Sequence, residues 1–236
     1  KMNNHSFNAV SLSDGSVMNV YAAFPDKGIN QPVIIVLQEA FGVNNHIRNI
    51  CERLCNEEYA VFAPDLFHRT GKMIEIPYSD FSLAIPHFNV LTTELLENDL
   101  TETYKWIVRQ QNIIPGKIAA IGFCLGGRVS FLANAILPLS ASVSYYGGGI
   151  EKLIAEGKEI QAPHLFFWGG KDSHISPDKI EQIITSLNAK NKEYTNVVIS
   201  YADHGFNCDE RPSFNPLAAD QAWGHTLAFL ENRLKD

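Results

Sequence analysis

Apolar positions along this chain switch repeatedly between a two-residue and a helical period. Residues 5–24 alternate polar and apolar side chains around Asp14-Gly15, which predicts a β-hairpin. Pro32 to Leu37 is a continuous apolar run, the pattern of a parallel strand buried on both faces. Asn44 or Asn45 then caps a helix reaching to about Glu58, with Ile47, Ile50, Cys51, Leu54 and Cys55 on one face. The next strand is Tyr59 to Ala63, ending at Pro64-Asp65. Residues 65–90 are weakly periodic and rich in aromatic residues and proline; a connection this long inside a compact domain is more often functional than idle.

The alternation continues to the end. Leu91 to Gln111 reads as a long helix, Lys117 to Ile121 as a strand, and Val129 to Leu137 as a helix. Strands follow at Ala141 to Tyr146 and His164 to Trp168, separated by a glycine-rich turn at Gly147 to Gly149. Ser176-Pro177 supplies an N-cap and a proline at the first helical position of a helix to about Ala189. Asn196 to Tyr201 is the last strand and Pro216 to Leu234 the last helix. Strands alternating with helices imply an α/β fold: a mostly parallel central sheet covered by helices on both faces, preceded by an N-terminal hairpin. No repeat, low-complexity tract or linker interrupts it, so residues 2–236 are expected to form a single domain. Lys1 stands before Met2 and reads as a tag remnant.

Composition narrows the partners. The 236 residues carry a formal net charge of −7 with no basic block, which argues against nucleic acid. No apolar run approaches membrane-spanning length, and the N-terminus has no apolar signal core. The four cysteines, Cys51, Cys55, Cys124 and Cys208, do not form a secreted-domain framework, so a reducing, cytoplasmic setting is expected. Cys51 and Cys55 fall on the apolar face of their helix, and no further ligands for a metal are evident there.

Chemistry enters at Gly122-Phe123-Cys124-Leu125-Gly126-Gly127. A small residue two before and two after a central nucleophile, between a strand and a helix, is the pattern of a nucleophile elbow. The turn is so sharp that side chains at Gly122 and Gly126 would collide with neighbouring backbone, and the central residue is strained. Here that residue is Cys124 rather than serine. A thiol nucleophile needs a base and an acid to orient the base. In elbow enzymes they follow the nucleophile as acid, then histidine. Asp172, just after the strand His164 to Trp168, and His204, just after Asn196 to Tyr201, stand in that order. Both lie beyond the carboxyl ends of predicted parallel strands, where ligands collect in open α/β sheets. The other histidines are less well placed: His225 lies inside the last helix, His164 opens a strand, and His5, His46, His68, His87 and His174 lie on the hairpin, a helix or loops. Acyl transfer also needs oxyanion donors. One is the backbone N–H of Leu125, and the loop after Val33 to Leu37 offers Ala40 for the other.

Several segments together resemble one family. Gln38-Glu39-Ala40-Phe41-Gly42, Pro64-Asp65-Leu66, the elbow, Tyr145-Tyr146-Gly147 and His204-Gly205-Phe206 occur in the order found in dienelactone hydrolases (carboxymethylenebutenolidases), from about residue 8 to 232. The resemblance implies an α/β-hydrolase-like fold, a monomer or small homo-oligomer, no cofactor or metal, and a small-molecule ester or lactone substrate. It implies Cys124 as nucleophile, His204 as base and Asp172 as orienting acid. It also gives Glu39 a role: holding the resting thiol neutral until substrate displaces it. Dienelactone enzymes of the family hold a substrate carboxylate with arginines, one in the middle segment and one shortly after the histidine. This chain has no arginine between Arg69 and Arg109, and Cys208 stands four residues after His204, which leaves Arg211 as the arginine that could reach inward after the histidine. Phe41, Tyr145 and Phe206 point instead to a more apolar pocket.

Two other readings are weaker. Glutamine amidotransferase domains share a Gly-x-Cys-x-Gly elbow but complete it with a His-x-Glu pair, which occurs nowhere here. A non-catalytic binding protein on the same scaffold usually lacks a triad member, whereas all three are present.

Overall fold

The computed structural model describes residues 4–26 and 30–235, so Lys1 and Met2 lie outside the described residues. The chain divides into two compact units, Lys1–Ile118 and Ala119–Asp236.

In the first unit β1 (Asn4–Ser11) and β2 (Val17–Phe24) form the expected hairpin. Gly15 supplies the left-handed residue of the turn, at φ +83°, and the Leu12 and Ser16 backbones close it. β3 (Gln31–Leu37) is buried along its whole length and pairs in parallel with β4 (Ala60–Pro64), while β4 runs antiparallel to β2. The resulting order is β1-β2-β4-β3. α1 (Asn45–Asn56) starts where Asn44 accepts the Ile47 N–H, and it packs its apolar stripe on these strands. Cys51 and Cys55 are in that stripe, and burial pushes both thiols well above their usual range, Cys55 to about 12.

The long connection after β4 is tied down at its start. Asp65 accepts the Phe67 and Met73 N–H groups, and Gln38 accepts that of Leu66. Arg69 grips Asp99 with two nitrogens at 2.7 and 2.8 Å and reaches Asp14 of the hairpin turn at 2.8 Å. His68 lies 3.2 Å from the same Asp99 carboxylate. A 3₁₀ turn at Phe81–Ala84 and the short α2 (Ile85–Phe88) follow, neither signalled by a clear period. α3 (Thr93–Ile107) is shorter than its apolar pattern at both ends; the Thr92 hydroxyl sets its start by accepting the Leu95 N–H, and it closes at Val108.

β5 (Ile113–Phe123) extends the expected strand at both ends and leads into the second unit. There β6 (Ala141–Tyr145), β7 (His164–Gly169) and β8 (Tyr194–Ile199) continue in parallel, in the order β5-β6-β7-β8. α4 (Leu125–Ile136) packs on β6, and α7 (Pro216–Leu234) on β6 and β7. α6 (Pro177–Ala189) begins at the expected Ser176-Pro177 and packs on the short α5 (Ile150–Ala155). Strands are mostly parallel and alternate with helices, as the sequence pattern predicts. No described helix is long and apolar enough to cross a membrane.

Candidate active site

The elbow is built from steric exclusion. β5 ends at Phe123 and α4 begins at Leu125, so a single residue, Cys124, makes the turn. Its φ of +54° is a conformation L side chains rarely adopt. Such strain persists only where the surroundings over-determine it, and here they do. A Cβ at Gly122 would lie 1.8 Å from the Gly126 carbonyl oxygen, and one at Gly127 would lie 2.6 Å from that of Tyr145. The Cys124 N–H donates to the same Tyr145 oxygen at 3.0 Å, which fastens the turn to β6.

His204 and Asp172 meet the thiol from the two loops beyond β7 and β8. His204 Nε2 lies 3.2 Å from Cys124 Sγ, and its Nδ1 lies 2.7 Å from Asp172 Oδ2. The other Asp172 oxygen accepts the His174 N–H at 2.7 Å and the Ile175 N–H at 3.2 Å. With Asp172 accepting from Nδ1–H, Nε2 is the nitrogen left facing sulfur. Burial opposes charge on both partners. The His204 hydrogen bond and charge, with the two backbone N–H groups, nonetheless hold Asp172 below the usual carboxylate range. Burial alone would lower His204; the hydrogen bonds to Asp172 and Cys124 outweigh it and raise the imidazole to about 10.

Two further rings rest on the His204 imidazole. Tyr146, fully buried at φ +37°, sits 5.1 Å away between ring centres; His174, exposed on the rim, sits at 5.0 Å with planes at 71°. Sequence reasoning missed both. Tyr145, the expected pocket residue, is in the core, where its hydroxyl pairs with Thr226 Oγ1 of α7 at 2.7 Å. Phe206 is fully buried against Tyr145 and Tyr146. Gly205, at φ +78°, leaves its Cβ position to the Arg211 guanidinium, whose Nη1 lies 2.5 Å from it.

In the first unit, the expected residues cluster around Tyr78. Glu39 is fully buried and accepts the Tyr78 hydroxyl at 2.9 Å; Asn44 donates to that hydroxyl at 2.9 Å. Phe41 packs on the Tyr78 ring with centres 4.5 Å apart. Ala40, between Glu39 and Phe41, is buried, as is Leu125 in the second unit.

A second buried histidine lies beneath the elbow. Asn134 Oδ1 accepts the Gln161 and Ala162 N–H groups, so its Nδ2 faces His164 Nδ1, at 3.1 Å. His164 therefore carries its proton on Nε2 and donates it to Ser144 Oγ at 2.8 Å; Ser144 in turn donates to the Gly127 carbonyl at 2.6 Å. Burial pushes this imidazole down to about 3, so it is neutral.

Comparison with known proteins places this geometry. The model of the dienelactone hydrolase family matches residues 18–234. A Yersinia pestis protein provisionally named a carboxymethylenebutenolidase is 35% identical over 229 residues, spanning 91% of this chain and 84% of that one. A carboxymethylenebutenolidase of Pseudomonas putida is 33% identical over 225 residues, 94% of either chain. A crystal structure from Klebsiella pneumoniae subsp. pneumoniae, provisionally named a dienelactone hydrolase, aligns with a TM-score of 0.87 at 29% identity, covering 98% of this chain and 99% of that one.

Proposed function

Since the chain belongs to the dienelactone hydrolase family and is a hydrolase of carboxylic esters or lactones, we propose that it works through a Cys124-His204-Asp172 triad and a thioester intermediate. The observation that carries this reading is the unbroken line of contacts from Sγ through the imidazole to the Asp172 carboxylate, at 3.2 and 2.7 Å. Cys124 Sγ, its proton passed to His204 Nε2, attacks the acyl carbon. The carbonyl electrons move onto oxygen, which the Leu125 N–H at the start of α4 is placed by chain position to receive. The loop after β3 offers Ala40 for the second donor. Each such donor is worth about 3 kcal/mol in the transition state.

Collapse of this intermediate breaks the bond to the leaving oxygen, which takes the proton from Nε2 and leaves the acyl group on sulfur. Water then attacks the thioester while His204 takes its proton. Cys124 departs as the acid product forms, and the imidazolium returns a proton to sulfur. Asp172 keeps Nδ1 protonated throughout, so Nε2 is always the working nitrogen. The substrate is a small ester or lactone. Glu39 holds the resting thiol neutral in this scheme, which spares it from oxidation between turnovers.

The test compares wild type with Cys124→Ala on an activated aryl ester and on a dienelactone. A loss of about a thousandfold or more is expected, together with an acyl adduct on Cys124 by intact mass in the wild type alone. Activity that survives Cys124→Ala overturns the mechanism. For Glu39, the pH dependence of thiol alkylation in Glu39→Gln is expected to shift toward faster reaction at low pH; profiles identical to wild type remove that role.

A further inference from the structure

β1 ends the first unit's strand order, β1-β2-β4-β3, so among the described residues one of its sides has no neighbouring strand. The hairpin turn sets which backbone groups lie on that side. Leu12 N–H donates to the Ser16 carbonyl, which makes these two a hydrogen-bonded pair. Such pairs alternate along an antiparallel ladder, so Val10, Asn8, Ser6 and Asn4 bond to β2. His5, Phe7, Ala9 and Ser11 therefore turn their N–H and C=O groups outward. Asn19 agrees: it stands opposite Ala9 and sends its carbonyl away from β1, to the Asp65 N–H. The four outward residues share one face of the strand, and all are exposed, Phe7 by 53%.

This edge lacks the usual guards. Exposed edges are commonly blunted by lysine, proline, a bulge or short length. β1 pairs over all eight of its residues without a bulge, and it contains no proline, lysine, arginine, aspartate or glutamate. β8, which ends the second unit's order, differs. It has six residues and is entered past Lys190, Lys192 and Glu193, each in an ion pair.

We propose that the β1 edge is an interface for a second copy of this chain, paired antiparallel about a two-fold axis through Asn8. That axis sets Phe7 opposite Ala9 of the second copy and His5 opposite Ser11, each pair occurring twice. Every outward N–H and C=O of these four residues then has a partner. Each Phe7 ring meets a small side chain, and the two rings reach one another along the diagonal. An axis through Phe7 would instead set the rings directly opposite each other. No like charges meet in the pairing, although each chain carries a formal net charge of −7. A foreign strand would have to bring this order of small opposite large; a second copy brings it by symmetry. The pairing is isologous, so it closes as a dimer. A strand of eight residues is about 27 Å long, a small contact, so the dimer forms with rising concentration.

The experiment is sedimentation velocity of the full chain over about a hundredfold range of concentration, from micromolar upward, the range suited to a small interface. Wild type is expected to move from the mass of one chain toward that of two. Phe7→Lys adds a charge to the edge, and Ala9→Pro removes an outward N–H without touching a bond to β2. Both are expected to stay at one chain's mass, with wild-type far-UV circular dichroism and ester hydrolysis. Ala9→Phe sets large against large and is expected to weaken the dimer about tenfold. Adding Phe7→Ala to it restores one small and one large residue in each pair, and dimerisation is expected to return. Amide exchange at Phe7 and Ala9 slows with concentration in wild type. A wild type that stays monomeric throughout overturns the inference, whether the edge is then bare or kept for another protein's strand. A dimer that persists in both Phe7→Lys and Ala9→Pro overturns it as well. So does a double variant no better than Ala9→Phe alone, because the two-fold through Asn8 requires the rescue.

Discussion

His204 and His164 are the same side chain in the same unit, both enclosed and both engaged at each ring nitrogen, yet they sit at opposite ends of the imidazole range. His204, between Asp172 and Cys124, is raised to about 10, whereas His164, between Asn134 and Ser144, is pushed down to about 3. Burial disfavours charge at both. The difference lies in the partners: an ionisable carboxylate and thiol favour the imidazolium, while an amide and a hydroxyl satisfy only the neutral ring. Depth alone does not make a histidine a base; the charge of what it touches does.

The hardest blow to this contrast is Asp172→Asn, which gives His204 a neutral partner like those of His164. A fall in kcat of about ten-thousandfold is expected from loss of the charge and of the tautomer lock. The His204 titration, read by NMR, moves down. An unmoved titration would mean that Asp172 does not set the base.

The next largest effect is on stability against pH, and the two histidines carry opposite signs. His164 binds a proton in the unfolded chain near its model value of 6.5 but in the fold only near about 3. Its contribution is therefore intact above pH 6.5 and is lost as pH falls, by about 1.4 kcal/mol per unit across that window. His204 is raised, so its contribution is intact below about 6.5 and drains away as pH climbs toward about 10. Urea unfolding of His164→Gln should flatten the acid side, and of His204→Gln the alkaline side. A reversal of either sign breaks the comparison.

The smallest effect is Ser144→Ala, which leaves the His164 Nε2 proton and one lone pair of the Gly127 carbonyl unanswered. A loss of about 1–2 kcal/mol in unfolding free energy is expected, and a stability equal to wild type would remove Ser144 from the chain of bonds.

The same contrast explains what could be read ahead of the structure. Cys124, Asp172 and His204 could be brought together ahead of the structure because each follows a strand, in the order elbow enzymes use, and because glycines at 122 and 126 flank Cys124 in the elbow spacing; in the fold a Cβ at Gly122 would meet the Gly126 carbonyl oxygen at 1.8 Å. The strands were legible because buried parallel strands are continuous apolar runs. The contacts of Tyr146 and His174 were not legible. Tyr145 and Tyr146 are adjacent and chemically identical. Only the end of β6 and the positive φ of Tyr146 send one to Thr226 and the other to His204. His174 reaches the base because Asp172 captures its backbone, a loop geometry with no period. α5 and α2 were missed because one or two turns of helix leave too few residues for a 3.6 period to register.

The bonds beneath the elbow have a further consequence in their direction. From Asn134 through His164 and Ser144 to Gly127, every hydrogen points toward the elbow, and the final acceptor is a peptide oxygen that has no proton to pass on. The line is a dead end for proton conduction. It can clamp the first turn of α4, yet it cannot carry a proton between the elbow and the interior.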